Sequence, residues 1–263
     1  MEVFSFTISF FASVIGCICG IGGGVIIKPM LDATGMLSVS AINFLSSCTV
    51  LTMSLYAVLK LKVNKETDLD SRLSIYLGIG AIAGGILGKQ IFQVLKTFFA
   101  NEETVGAVQS AVLAAIAVGT LIYIFMKEKI RTLNRTQKMT GLLVGILLGI
   151  VSSFLGIGGG PINLVLLHFF FSMETKAAAQ NSLYIICLSQ ISNLVITILK
   201  RTVPTVSFSL LVGMVICACS GSFVGRKINA RISSAAVDKL FIVLICLIII
   251  ICIYNVISSG LIL

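Results

Sequence analysis

Charge is what this chain has least of. Only 11% of its 263 residues are Asp, Glu, Lys or Arg, against about a quarter in a soluble globular domain. With 57% hydrophobic residues, that scarcity excludes both a soluble globular fold and a disordered chain, and leaves an integral membrane protein. No Walker loop, nucleophile elbow or zinc-protease helix occurs, so ATP-driven transport by this chain alone is not expected. Paired carboxylates, a His-rich helix or a nucleophile with its base are equally missing, which argues against an enzyme. Histidine is reduced to His168, expected at a membrane interface beside Phe169, Phe170 and Phe171. A cleavable signal peptide is not expected either, because Met1 and Glu2 precede the first apolar run without a basic region and no small-residue cleavage site ends it.

The eight cysteines all lie inside apolar segments, where Cys behaves as a small hydrophobe. Cys17 with Cys19, and Cys217 with Cys219, are two apart, and such side chains point about 200° from one another on a helix. A metal site would need partners that the sequence does not show, and no metal is expected there. The net charge of +9, from 19 basic and 10 acidic residues, gathers between apolar runs instead of forming one face, so it reports membrane orientation and no nucleic-acid partner.

A transmembrane helix needs about 20 apolar residues, and runs near this length occupy 3–20, 39–59, 73–95, 104–126, 140–156, 177–199, 205–225 and 236–257. The first and fifth end in the same pentapeptide GIGGG, Gly20 to Gly24 and Gly156 to Gly160, and a short apolar piece follows each, 25–31 and 161–171. The offset between the pentapeptides is 136 residues. Two further landmarks recur at nearly that spacing: Ala41 to Leu45 with Ala179 to Leu183, and Gly84 to Lys89 with Gly221 to Arg226. The chain thus reads as two repeats, 1–126 and 140–263, joined by a basic linker over 127–139 that is expected in the cytoplasm.

The placement of Lys and Arg bears on topology. If each glycine-broken segment crosses the membrane once, the basic residues divide 11 against 8. If each enters and returns as a hairpin, leaving three crossings per repeat, the division is 14 against 4 with Lys28 set aside. The sharper bias favours hairpins, and with them inverted repeats having both termini outside.

Adjacent glycines in mid-membrane weaken a helix by about 1 kcal/mol each, and non-helical backbone at that depth persists only inside protein or around a cavity. Gly22, Gly23, Gly24, Gly158, Gly159 and Gly160 can adopt positive φ, turning successive N–H groups into an anion-binding nest. The short helix after each break would aim its N-terminal dipole at the same point. Asn43 and Asn181, repeat-equivalent and near the start of the next helix, can donate to an anion or, structurally, to a carbonyl of the broken helix; Ser182, beside Asn181, is a further candidate for the anion. Lys28, four residues past Gly24, is the one cation inside a hairpin, where it can attract the anion or snorkel to the interface. The small-residue ridges Gly84/Gly88, Gly221/Gly225 and Gly141/Gly145/Gly149 are read as helix packing. Pro29 and Pro161 are read as structural, and Glu174 with Lys176 as a solvated turn.

The duplicated GxGGG break, here Gly20 to Gly24 and Gly156 to Gly160 with Pro29 and Pro161 after them, resembles that of the sulfite exporter TauE/SafE family, the four-toluene-sulfonate uptake permeases. Likeness extends over the whole chain. It implies a multi-pass carrier of the plasma membrane that moves sulfite, thiosulfate or organosulfonates without a bound cofactor. Where such proteins carry a Thr-Ser-like pair, this chain has Ala179, Gln180, Asn181 and Ser182. An anion channel and a membrane-embedded accessory subunit are the other classes compatible with these residues; oligomeric state, including a homodimer, stays open.

Overall fold

The computed structural model describes residues 2–63, 71–99, 102–127, 129–134 and 137–259. Lys65 and Arg135, two of the basic residues that bear on topology, lie outside the described residues, as do positions 128 and 136 of the expected linker. The described residues form ten helices and no strand: α1 (Glu2–Cys19), α2 (Gly24–Asp32), α3 (Val39–Val63), α4 (Ser71–Phe98), α5 (Glu102–Met126), α6 (Lys138–Leu155), α7 (Ile162–Phe171), α8 (Thr175–Leu199), α9 (Phe208–Arg231) and α10 (Ser234–Ser258). Eight of these are long and apolar enough to cross a membrane; α2 and α7 are the short pieces beyond the two glycine breaks. Outward-facing positions of α10 are apolar, with Val243, Leu247 and Ile250 exposed, as lipid-facing helix surface requires.

Each repeat's broken helix packs chiefly on the other repeat. α1 lies along α9 and α6 lies along α4, and both seams are made by glycines. A Cβ on Gly84 would stand 2.1 Å from the Ile146 carbonyl oxygen, and one on Gly145 would stand 2.4 Å from that of Leu77. On the other seam, Gly221 meets the Phe10 carbonyl and Gly225 that of Val14, each at 2.4 Å from a would-be Cβ. These ridges are helix-packing devices, as the spacing by four suggested. Contacts advance in step, Phe10 with Gly221 and Val14 with Gly225, so α1 and α9 run in the same direction. The remaining packing repeats the pattern: α3 on α9 matches α8 on α4, α2 on α10 matches α7 on α5, and α3 meets α8 at the centre.

Hydrogen bonds fix which helix ends share a face. Leu133 N–H donates to the Phe169 carbonyl (2.9 Å) and the Ser172 hydroxyl to Thr132 Oγ1 (2.6 Å), tying the end of α7 to the linker. Lys127, Thr175 and Asp238 join the starts of α8 and α10 to the same place. At the other face the Ser209 hydroxyl donates to Glu2 (2.8 Å), Lys96 to Ser40 (2.8 Å) and the Asn255 amide to the Pro29 carbonyl (2.9 Å).

Candidate substrate site

The two glycine breaks lie against each other in the protein interior. A Cβ on Gly24 would come within 2.7 Å of the Ile157 carbonyl oxygen, and one on Gly22 within 3.3 Å of it and 3.6 Å of the Gly158 carbonyl. Gly160 in turn packs on Val25. Ile21 and Ile157, the residues after the first glycine of each pentapeptide, are fully buried. The breaks are of unequal conformation. Gly156, Gly158, Gly159 and Gly160 all have left-handed φ, from 59° to 92°, whereas in the first break only Gly20 and Gly22 do. The expectation of positive φ at Gly23 and Gly24 is therefore corrected: Gly23 is right-handed at φ −63°, and it is small because the chain doubles back, bringing a would-be Cβ to 3.1 Å from Ala12. Ile26 and Ile27 N–H both donate to the Gly23 carbonyl at 3.0 Å, so the N–H groups ahead of them have no partner within α2.

Asn43 is buried with its side-chain oxygen unpartnered, and it faces Gly156, whose Cβ would lie 2.6 Å from that oxygen. Ser182 is fully buried and accepts from the Asn163 amide at 2.9 Å; Asn163 also abuts Gly159, where a Cβ would meet its amide at 2.6 Å. Asn43, Asn163 and Ser182 thus border the second break. Asn181 does not present a free amide: its oxygen accepts from the Ser74 hydroxyl (3.1 Å) and its NH2 donates to the Ala177 carbonyl (3.0 Å). Lys28 is also already engaged. Its ammonium donates to Gln109 Oε1 and, at 3.0 Å, to the Leu155 carbonyl at the end of α6, while the Gln109 amide donates to the Phe154 carbonyl. A cation at the C-terminal end of a broken helix satisfies carbonyls that Gly156 leaves without helical partners.

Other polar residues near the breaks gave no motif in the sequence. Ser152 and Ser189 share a 2.8 Å hydrogen bond, Gln190 donates to Ser152 (3.1 Å), and Asn193 donates to Ser47 (3.0 Å), all buried between α3, α6 and α8. They are scattered over three helices, and only packing gathers them.

Two cavities open toward opposite faces. One of about 290 Å³ is bounded by the start of α8, the end of α9 and the end of α3, with Lys176 and Arg226 in its wall. It reaches Ala179, which sits against Gly20. The other, about 450 Å³, is bounded by the start of α3, the end of α4 and the end of α8, with Lys89 and Lys96 in its wall. Its Thr197 donates to the Asn193 carbonyl at 2.8 Å, joining it to the buried polar residues. Among the described residues, neither cavity has an acidic side chain in its lining. Lys89 and Arg226 are repeat equivalents, following Gly88 and Gly225. The glycine ridges announced their position, but not that they face a cavity. Lys176 is no solvated turn: its ammonium donates to the Asn229 and Ile232 carbonyls at the end of α9 (3.2 and 2.7 Å). Among the described residues no cluster of metal-ligating side chains occurs.

A helical bundle with eight potential membrane crossings, paired interrupted helices at its centre and cation-lined cavities toward both faces belongs to the class of multi-pass membrane transporters. The profile of the sulfite exporter TauE/SafE family matches residues 5–251, and the chain is a member of that family. It is accordingly a multi-pass membrane protein of a transporter family for sulfur-containing anions. No curated protein and no solved structure matches it.

Proposed function

We propose that the chain carries sulfite, thiosulfate or an organosulfonate across the plasma membrane by alternating access between two inverted repeats. The observation that carries this is the pair of repeat-equivalent cavities, one toward each face and both lined by cations without a carboxylate among the described residues; the first reaches Ala179 against Gly20, and the second adjoins the buried polar residues through Thr197. A cationic mouth in a low-dielectric wall concentrates anions, and a site of backbone N–H groups binds them without a fixed charge that would hold them too tightly.

Support for inversion comes from where the helix ends lie. Leu133 bonds to Phe169 at the end of α7, and the five residues from there to Lys138 at the start of α6 span at most about 18 Å, too little to cross a bilayer of about 30 Å. α6 and α7 then form one re-entrant hairpin. Likewise Glu2 at the start of α1 meets the start of α9, and Pro29 near the end of α2 meets the end of α10; through α9 and α10 both points share the opposite face. On this topology the linker face collects most of the basic residues and is cytoplasmic.

The substrate is held by the N–H groups of Gly22 to Gly24 and Gly158 to Gly160, with Asn43 and Ser182 beside them. Lys28 and Asn181 act at one remove, by holding the end of α6 and the register of α4 on α8. Ile21 and Ile157 at the breaks are fully buried and line neither cavity, which supports a carrier closed at its centre over an open pore. Purified protein in liposomes is expected to take up radiolabelled thiosulfate saturably; absence of uptake of thiosulfate, sulfite and taurine alike would remove the transport reading.

A further inference from the structure

A third cavity, about 550 Å³, lies at the face away from the linker, between the end of α2, the starts of α3 and α5 and the end of α10. Two groups in its wall have acceptor atoms without donors. Both carboxyl oxygens of Asp32 are buried and accept no hydrogen bond, and the side-chain oxygen of Asn255 is in the same state. Asn255 is 8% exposed, and its amide nitrogen is committed to the Pro29 carbonyl, so its oxygen is the end left facing Asp32's surroundings. Unsatisfied buried acceptors are expensive, and a charged one most of all. A proton on Asp32 removes the charge that makes its burial costly.

We infer that Asp32 is a proton-binding site whose occupancy is coupled to anion binding at the glycine breaks. A proton taken from water onto one Asp32 oxygen forms a neutral carboxylic acid, which removes the cost of a buried charge without a donor. Lys28 stands four residues earlier on α2, so the two side chains share a helix face, and it is fixed to the Leu155 carbonyl immediately before Gly156. While Asp32 is ionised it offsets the Lys28 charge; once it is neutral, the ammonium beside the second break is uncompensated and favours an anion there. Linkage makes the effect reciprocal: the anion raises proton affinity by the same factor. Among the described residues, the other titratable groups at this cavity or close to Asp32 are Glu103 on α5 and the Cys252 thiol on α10; Ser38 and, on α3, Val39 and Ile42 complete that side. The repeat equivalent of Asp32 is His168, whose ring pairs with the Tyr123 hydroxyl at 2.9 Å, so the two repeats carry different side-chain chemistry at this position.

This inference rests on the transport reading, and two measurements separate them. In proteoliposomes the initial rate of thiosulfate uptake is compared with and without an inwardly directed proton gradient; wild type is expected to gain at least about fivefold, and Asp32→Asn to show no gain. An equal gain in Asp32→Asn, or a gain produced at constant pH by a sodium gradient instead, overturns the proton site. Independently, an acid-minus-neutral infrared difference spectrum of the purified protein should show a protonated carboxyl band that is absent from Asp32→Asn and present in Glu103→Gln, the other carboxyl lining this cavity. A spectrum without such a band overturns the inference whether or not transport is seen. If wild type moves no anion under any gradient yet the band is present, the transport reading fails and the proton site stands.

Discussion

At the scale of single residues, glycines that share a pentapeptide do different work. Gly159 sits at φ 92° with Asn163 where its Cβ would be, so a side chain there meets both backbone strain, of about 1–3 kcal/mol, and a clash. Gly159→Val is expected to reduce thiosulfate uptake at least tenfold while helix content by circular dichroism is retained; undiminished uptake would show that the break does not form the anion site. Gly119 on α5 has nothing within 4 Å of a would-be Cβ, and Gly119→Ala should leave uptake intact and add about 0.5–1 kcal/mol of stability. Lys28 offers a sharper contrast. Because its ammonium caps the Leu155 carbonyl, Lys28→Met should lower the thermal midpoint by the loss of a charged hydrogen bond, about 1.5–3 kcal/mol. A raised substrate constant at unchanged stability would instead mean that the ammonium acts on the anion through its charge and does not hold the end of α6.

Among the helices, the decisive contacts are the two glycine seams. α1 on α9 and α6 on α4 bring backbone against backbone, and the carbonyls of Phe10, Val14, Leu77 and Ile146 occupy the volume of missing side chains. Such closeness matters in a bilayer, where apolar side chains gain little by leaving lipid and helix association depends on van der Waals packing. Gly84→Val and Gly221→Val, one on each seam, should each lower the thermal midpoint in detergent by several degrees, since overpacking costs about 1–3 kcal/mol or more where the obstructing atom is backbone. If the seams were the moving surface of the transport cycle, the same variants would lock the carrier with stability unchanged.

Over the molecule as a whole, repeat symmetry sets charge on both sides of the central breaks. Lys89 and Arg226 line separate cavities from equivalent positions, so Lys89→Glu and Arg226→Glu should each slow anion entry, and each loss should shrink at high ionic strength, because field focusing at an open mouth is screened over about 10 Å at 0.1 M salt. Equal rates at low and high salt would argue for a structural role at both positions. Orientation is tested separately. Single cysteines placed at Arg131 and Arg201 in a cysteine-free background should react with an impermeant thiol reagent from opposite sides of the membrane, Arg131→Cys from the cytoplasm. Labelling from one side for both would exclude an odd number of crossings between them and with it the inverted arrangement.

The membrane-spanning helices, their approximate limits, the two breaks and the packing role of the glycine ridges were legible in the sequence, because each depends on local apolarity or on spacing along one helix. Helices α2 and α7 fall within a residue of the short apolar pieces at 25–31 and 161–171. What Lys28 and Asn181 bond to was not legible: the Leu155 carbonyl and the Ser74 hydroxyl are 127 and 107 residues away along the chain. The inequality of the breaks was hidden for a different reason: the two pentapeptides are identical, yet they take different φ values with Ala12 against Gly23 and Asn163 against Gly159. Local sequence determines where a helix must stop. Only the tertiary fold decides which donor then meets its open end, because that donor arrives from the other repeat.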